Sequence, residues 1–271
     1  MSESLIDFKS TDGLALNGTL RITKDQTKFA ILFVHGITVD REEDGFYTQF
    51  AKKMDSISAT SLRFDLRSHG TSQGKYEELS LEGVINDIDS AVNELRKHVS
   101  THTPLIIIAA SFSGGLSSFW ASENLNKIQS LILLNPVLDY SGHMLFSKWF
   151  WENDKISAKG NELLKTQGWL PHREFRMGSK LIDELLHSQS FEKMECPSIP
   201  ILIVHGNKDS VVSFEIAQKY SASNINSTFE IIDGADHGFT SPNDNGLSHP
   251  DTIHFRDIVF EKVFRWINDN T

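Results

Sequence analysis

The chain has 271 residues, 39% of them hydrophobic and 23% charged, with a formal net charge of −10 at pH 7. That is enough apolar material for one large α/β domain or two small ones, and the acidic balance argues against the basic face that nucleic-acid binding needs. A single cysteine, Cys196, rules out an intrachain disulfide and points to a cytoplasmic protein with an inert thiol. Residues 1–9 lack the basic and apolar regions of a signal peptide. No apolar run approaches the roughly 20 residues of a membrane span.

Short β-rich runs alternate with helical patterns along the chain. A Thr11-Asp12-Gly13 turn precedes a strand over Leu14 to Ile22. Phe29 to Val34 is a buried strand running into His35-Gly36. Phe46 to Met54 has helical spacing, and Thr60 to Phe64 is a further strand. Ser80 caps a helix reaching Val99, with Val84, Ile88, Ala91, Val92 and Leu95 on one face. Leu105 to Ala110 is continuously apolar and Leu116 to Leu125 is helical. Ser130 to Leu134, Ile201 to Val204 and Thr228 to Ile232 are strands, and Thr252 to Asn268 is a closing amphipathic helix. Unbroken apolar strands between helices predict an α/β fold with a mostly parallel, doubly wound sheet covered on both faces. Ligand sites in such sheets lie at the carboxyl ends of the strands.

Residues 139–194 separate two strands by more than a crossover helix requires. They predict a helical insertion, a lid over the strand ends, within a single domain spanning 1–271. Trp149, Trp151 and Trp169 in this segment are candidates for the wall of a substrate pocket, or for the insertion's own small core.

The strongest local signal is the buried strand Leu105 to Ala110 running into Ser111-Phe112-Ser113-Gly114-Gly115 and then a helix. A serine there sits in a strained turn that lifts its hydroxyl clear of the sheet. Ser111 gives the strand ordinary length and has small neighbours at Ala109 and Ser113. Ser113 is the alternative nucleophile, and the motif alone also fits a helix start where both serines merely cap. Asp209 follows the strand Ile201 to Val204, and His237 follows the last strand. Serine, aspartate and histidine, in that order and each just past a strand end, form a nucleophile, an orienting acid and a general base. Asp139, after the strand Ser130 to Leu134, is a second candidate for the acid. No spacing suggests a metal site, and the chemistry needs no cofactor.

The chain resembles the α/β-hydrolase family over its whole length. His35-Gly36 is similar to the family's loop after the third strand. Asp65-Leu66-Arg67-Ser68-His69-Gly70-Thr71-Ser72 is similar to its D-x-R-G-x-G-x-S segment, with Ser68 in place of a glycine. The Ala-x-Ser-x-Ser elbow resembles that of bacterial acyl-carrier thioesterases, and the remainder resembles small bacterial feruloyl and cinnamoyl esterases. The resemblance implies a serine hydrolase acting on a small-molecule carboxylic ester or, alternatively, an acyl thioester. It also implies an oxyanion hole from the backbone N–H groups of Ile37 and Phe112. A non-catalytic binding protein on the same fold is the reading from another class. The partner is a small molecule and not nucleic acid or membrane, and assembly stays open between monomer and homodimer.

Overall fold

A computed structural model describes residues 2–172, 175–187, 197–242, 244 and 246–270; Cys196 and residues 188–194 of the expected insertion lie outside them. In chain order the central elements are β1 (Ser2–Lys9), β2 (Ala15–Ile22), β3 (Phe29–Val34), α1 (Phe46–Lys53), β4 (Ala59–Phe64), α2 (Leu81–Arg96), β5 (Leu105–Ala110), α3 (Phe112–Glu123) and β6 (Ser130–Leu134). Within the following segment lie β7 (Trp151–Glu152), β8 (Lys155–Ile156), α4 (Ala158–Gln167), β9 (Trp169–His172), β10 (Phe175–Gly178) and α5 (Ser179–His187). The chain then runs through β11 (Ile201–Gly206), α6 (Phe214–Ala222), β12 (Ser227–Ile232) and α7 (Pro250–Asn270).

Eight strands form one sheet in the order β1-β2-β4-β3-β5-β6-β11-β12. The β1–β2 and β2–β4 pairs are antiparallel, and the other five pairs are parallel. This is the α/β-hydrolase fold. Side chains alternate across a strand, and the two faces have separate cores. Leu32, Val34, Ile107, Leu131 and Leu133 pack with α2 and α3. Ile31, Phe33, Ile106, Ile108 and Ile132 pack with α1 and α7. Burial on both faces is why these strands read as unbroken apolar runs.

Most expected elements stand within a residue or two of their predicted ends. The exceptions are physical. β1 is a polar edge strand on which only Phe8 is fully buried, so it carries no alternating signal. The expected helix over Leu116 to Leu125 starts at Phe112, because its first turn is made of small residues that allow close packing against β6. Gly114 shows why: a side chain there would begin 2.4 Å from Pro136 Cβ. The expected helical insertion carries two hairpins besides its helices. Asn153 and Asp154 both take left-handed φ values, 50° and 57°, the geometry of a tight hairpin turn. In β10, buried Phe175 and Met177 flank exposed Arg176, the period of a strand.

The Asp65–Ser72 segment braces the sheet beside the strand ends. Arg67 makes three hydrogen bonds to the buried Asp87 carboxylate, backbone N–H and Nε to Oδ2, both at 2.9 Å, and Nη2 to Oδ1 at 2.8 Å. Ser68, where the resemblance expects glycine, has φ 69°. The left-handed backbone explains the family preference, and the Ser68 hydroxyl offsets part of the strain by donating to the Lys75 carbonyl at 2.8 Å.

Candidate active site

β5 ends at Ser111, whose backbone has φ 49° and ψ −119°. The strained turn is over-determined by its neighbours. Ser111 N–H donates to the Leu134 carbonyl at 2.9 Å, and its own carbonyl accepts from Gly114 and Val137 at 3.0 and 2.8 Å. The Ser111 hydroxyl lies 3.1 Å from His237 Nε2, and His237 Nδ1 lies 2.8 Å from Asp209 Oδ2. With Nδ1–H donated to the carboxylate, Nε2 is left as the acceptor for the serine hydroxyl.

The Asp209 carboxylate is fully buried and both its oxygens are in contact with donors. Oδ1 accepts from the Val211 and Val212 N–H groups at 2.9 and 2.8 Å. Oδ2 takes His237 and, more obliquely, His205 Nε2 at 3.2 Å. Burial pushes the Asp209 carboxyl up, but the contacts of His205, His237 and the Val212 N–H outweigh it and hold the group well below the usual carboxylate range. Asp236 ties the two loops together: its Oδ1 accepts from Ser210 N–H and from His237 N–H, both at 2.7 Å.

Ser113 is fully buried, and its hydroxyl donates to the His35 carbonyl. Asp139 turns to the Gly142 N–H at 2.8 Å. Ser111 and Asp209 are therefore the serine and aspartate that the structure brings to His237.

The start of the loop after β3 is pinned at several polar atoms. Ser113 holds the His35 carbonyl. Glu43 Oε2 accepts from Gly36 N–H at 2.8 Å. His35 Nε2 accepts from Leu66 N–H at 3.0 Å, so its Nδ1–H donates to the Gly36 carbonyl at 2.7 Å. His69 is set in the same way, donating from Nδ1 to the Arg67 carbonyl at 2.8 Å and accepting from Thr38 N–H at 3.4 Å. Among the described residues, no acceptor takes the Ile37 N–H. Phe112 opens α3, and the first N–H groups of a helix have no acceptor within it.

These two imidazoles set a pH dependence. Burial, with His69 nearby, pushes His35 well below its ordinary 6.5, and burial also lowers His69. The unfolded chain then binds more protons than the folded one as pH falls through 6.5, so stability is full above that value and declines below it. The expected result is a melting temperature that falls below about pH 6.5, less steeply than two histidines alone would give, because Glu43, raised to about 7, takes up a proton in the folded state over the same range. A melting temperature independent of pH down to about 5 in a Glu43→Gln variant, which removes the opposing acid, would contradict two buried neutral histidines.

Ser111 and His237 open into a cavity of about 190 Å³. Ile37, Glu43, Leu134, His172 and Arg256 are among its lining residues, with His143 and Lys148 from the segment after β6. None of the three tryptophans borders it. Trp149 is 51% exposed and meets Phe150 edge-on, Trp151 packs on Phe146, and the Arg176 guanidinium sits 5.2 Å above Trp169. The segment's fully buried residues Phe150, Leu170 and Phe175 join the apolar cluster on the α2 and α3 face of the sheet. Sequence reasoning missed Glu43, His205 and Arg256. Only Glu43 had a signal, as an acid a few residues past His35-Gly36. Among the described residues no group of three or more His, Cys, Asp or Glu side chains could hold a metal ion, and no helix is long and apolar enough to cross a membrane.

The family described as "Serine aminopeptidase, S33" matches residues 25–168, more than half of the chain, and the chain belongs to this family of α/β serine hydrolases. The non-heme chloroperoxidase CPO-A1 of Kitasatospora aureofaciens is 22% identical over 260 residues, covering 83% of this chain and 91% of that protein. Est1E from Butyrivibrio proteoclasticus, solved with ferulic acid bound, superposes with a TM-score of 0.74 at 21% identity, over 95% of this chain and 99% of that one. Mouse alpha/beta hydrolase domain-containing protein 10 superposes with a TM-score of 0.70 at 17% identity, over 99% and 100%. At these identities the superpositions speak for the fold.

Proposed function

We propose that the protein cleaves a carboxylic ester through an acyl-enzyme on Ser111. The observation that carries this reading is the unbroken contact chain from Ser111 through His237 to Asp209, opening into a cavity. His237 takes the serine proton as Oγ attacks the carbonyl and returns it to the leaving alcohol. Asp209 holds the imidazole tautomer and stabilises the imidazolium. Water then attacks the acyl-enzyme with His237 again as base. The carbonyl oxygen becomes an oxyanion facing the Ile37 and Phe112 N–H groups; each such donor typically contributes about 3 kcal/mol in the transition state. The Ile37 N–H supports this assignment because, among the described residues, it has no acceptor while the Gly36 and Thr38 N–H groups on either side do.

In this reading the chain is one α/β-hydrolase unit, and residues 139–194 form its lid, contributing His143, Lys148 and His172 to the cavity. The cavity is smaller than the several hundred Å³ of a drug-sized pocket, which favours short acyl groups. Hydrolysis of p-nitrophenyl esters from acetate to long-chain acyl tests this. The expected profile peaks among the short acids and collapses for long ones. Inactivity on every ester but turnover of the matching acyl thioesters would replace the ester reading. Inactivity on both, with no labelling by a fluorophosphonate, would favour a binding protein.

A further inference from the structure

The proposed mechanism leaves two acids of the cavity lining without a task, Glu43 and Asp44, and Glu43 is the less exposed of them. Glu43 lies at the start of a backbone stretch in which Glu43, Asp44 and Gly45 all take left-handed φ values, 48°, 52° and 79°. Two consecutive non-glycine residues in that region are strained, and such strain persists where the surroundings over-determine it, often at functional sites. Here the Glu43 carbonyl accepts from Phe46 N–H, the Glu42 carbonyl accepts from Tyr47 N–H, and Glu43 N–H donates to the Asp40 carbonyl, each at 3.0 Å. The turn delivers the Glu43 carboxyl to the reacting serine. The point where a Gly36 side chain would begin lies 3.1 Å from Ser111 Cβ, 3.5 Å from Glu43 Oε1 and 3.7 Å from Ser111 Oγ. Glycine at 36 is what lets the acid and the serine flank one spot.

We propose that Glu43 is a positioning residue for the oxyanion loop. Its carboxyl captures the Gly36 N–H, which leaves the next donor along the loop, the Ile37 N–H, for the reacting carbonyl. Remove that acceptor and the Gly36 N–H competes for the carbonyl or turns the peptide, and the Ile37 donor loses its aim. The proposal rests on the Ser111 acyl-enzyme reading and adds a task for a side chain that the reading does not use.

The group's titration is a second handle. Burial pushes Glu43 up to about 7, against the Gly36 N–H and the nearby His237 and Arg256, which favour the anion; Asp44 opposes the anion, and Tyr47 also faces it. A carboxylate accepts an N–H bond more strongly than the neutral acid, so the loop is held best above this value.

The test compares Glu43→Gln, which keeps an acceptor, with Glu43→Met, which keeps length and loses it. Methionine is expected to lower kcat by about 10- to 100-fold with KM within about threefold, and to slow fluorophosphonate labelling in parallel, because the loss falls on the transition state. Glutamine is expected to recover most of that loss and to lack an ionisation near pH 7 that the wild-type kcat/KM profile carries. A methionine variant with wild-type kcat overturns the proposal, as do equal losses in both variants. Should Glu43→Met fail to fold, the glutamine profile decides, and one superimposable on the wild type overturns it. Wild-type protein that fluorophosphonate never labels would instead mark failure of the acyl-enzyme reading itself.

Discussion

Replacing Ser111 with alanine is expected to lower kcat on the best p-nitrophenyl ester by about 10⁴- to 10⁶-fold, leaving only what binding and the oxyanion donors supply. The melting temperature should hardly change, because the substitution removes one oxygen that faces the cavity and satisfies no buried group. The φ of 49° remains, so the strain of the elbow is kept. Ser113→Ala should behave in the opposite way. Its hydroxyl is buried and donates to the His35 carbonyl, so the variant leaves a buried acceptor unsatisfied at a cost of about 1–3 kcal/mol in stability. Its activity should fall by less than about 10²-fold, through a looser loop after β3. Turnover that survives in Ser111→Ala and vanishes in Ser113→Ala would move the nucleophile by two residues and break the contact chain to His237. The pair also accounts for the unusual elbow sequence. A glycine at 113 would pack equally well against the sheet but could not hold the His35 carbonyl.

The parallel strands and the three residues around His237 were legible because each is dictated locally. Strands such as Leu105 to Ala110 are buried on both faces, so every position must be apolar. Ser111, Asp209 and His237 each follow such a strand, and a parallel sheet gathers strand ends at one edge. What was not legible depends on long-range contacts. β1 is held by its pairing with β2, a register that a polar edge strand does not announce. The tryptophans were visible as aromatics, but their neighbours within the segment decide whether they face a cavity. Glu43 gains its place from three left-handed residues in succession, and only the last of these is a glycine. His205 reads as a strand residue, and only the fold places its ring against Asp209. Arg256 reaches the cavity from the closing helix, stacked over Phe46 and bonded to the Gly238 carbonyl at 3.3 Å.

Asp209→Asn is expected to cost about 10⁴-fold in kcat with the fold intact, and the hydrogen bonds around the carboxylate say why. Oδ1 accepts from two backbone N–H groups, Val211 and Val212. An asparagine must place its oxygen there, since its NH₂ would meet two donors. Its NH₂ then faces His237 Nδ1, which must become an acceptor. The imidazole proton moves to Nε2, where it opposes the Ser111 hydroxyl instead of accepting from it, so the base is held in the wrong tautomer. The check is turnover together with the nitrogen NMR shifts of His237, which report the tautomer directly. Asp139→Asn is the matched control: its carboxylate caps the Gly142 N–H, an amide oxygen can do the same, and activity should stay within about threefold. An Asp209→Asn variant within tenfold of wild type, or an equal loss in Asp139→Asn, would require a different orienting acid. The depressed Asp209 ionisation adds an independent expectation. The carboxylate stays charged through the whole range in which the buried histidines destabilise the fold, so activity lost reversibly on mild acidification does not belong to this acid.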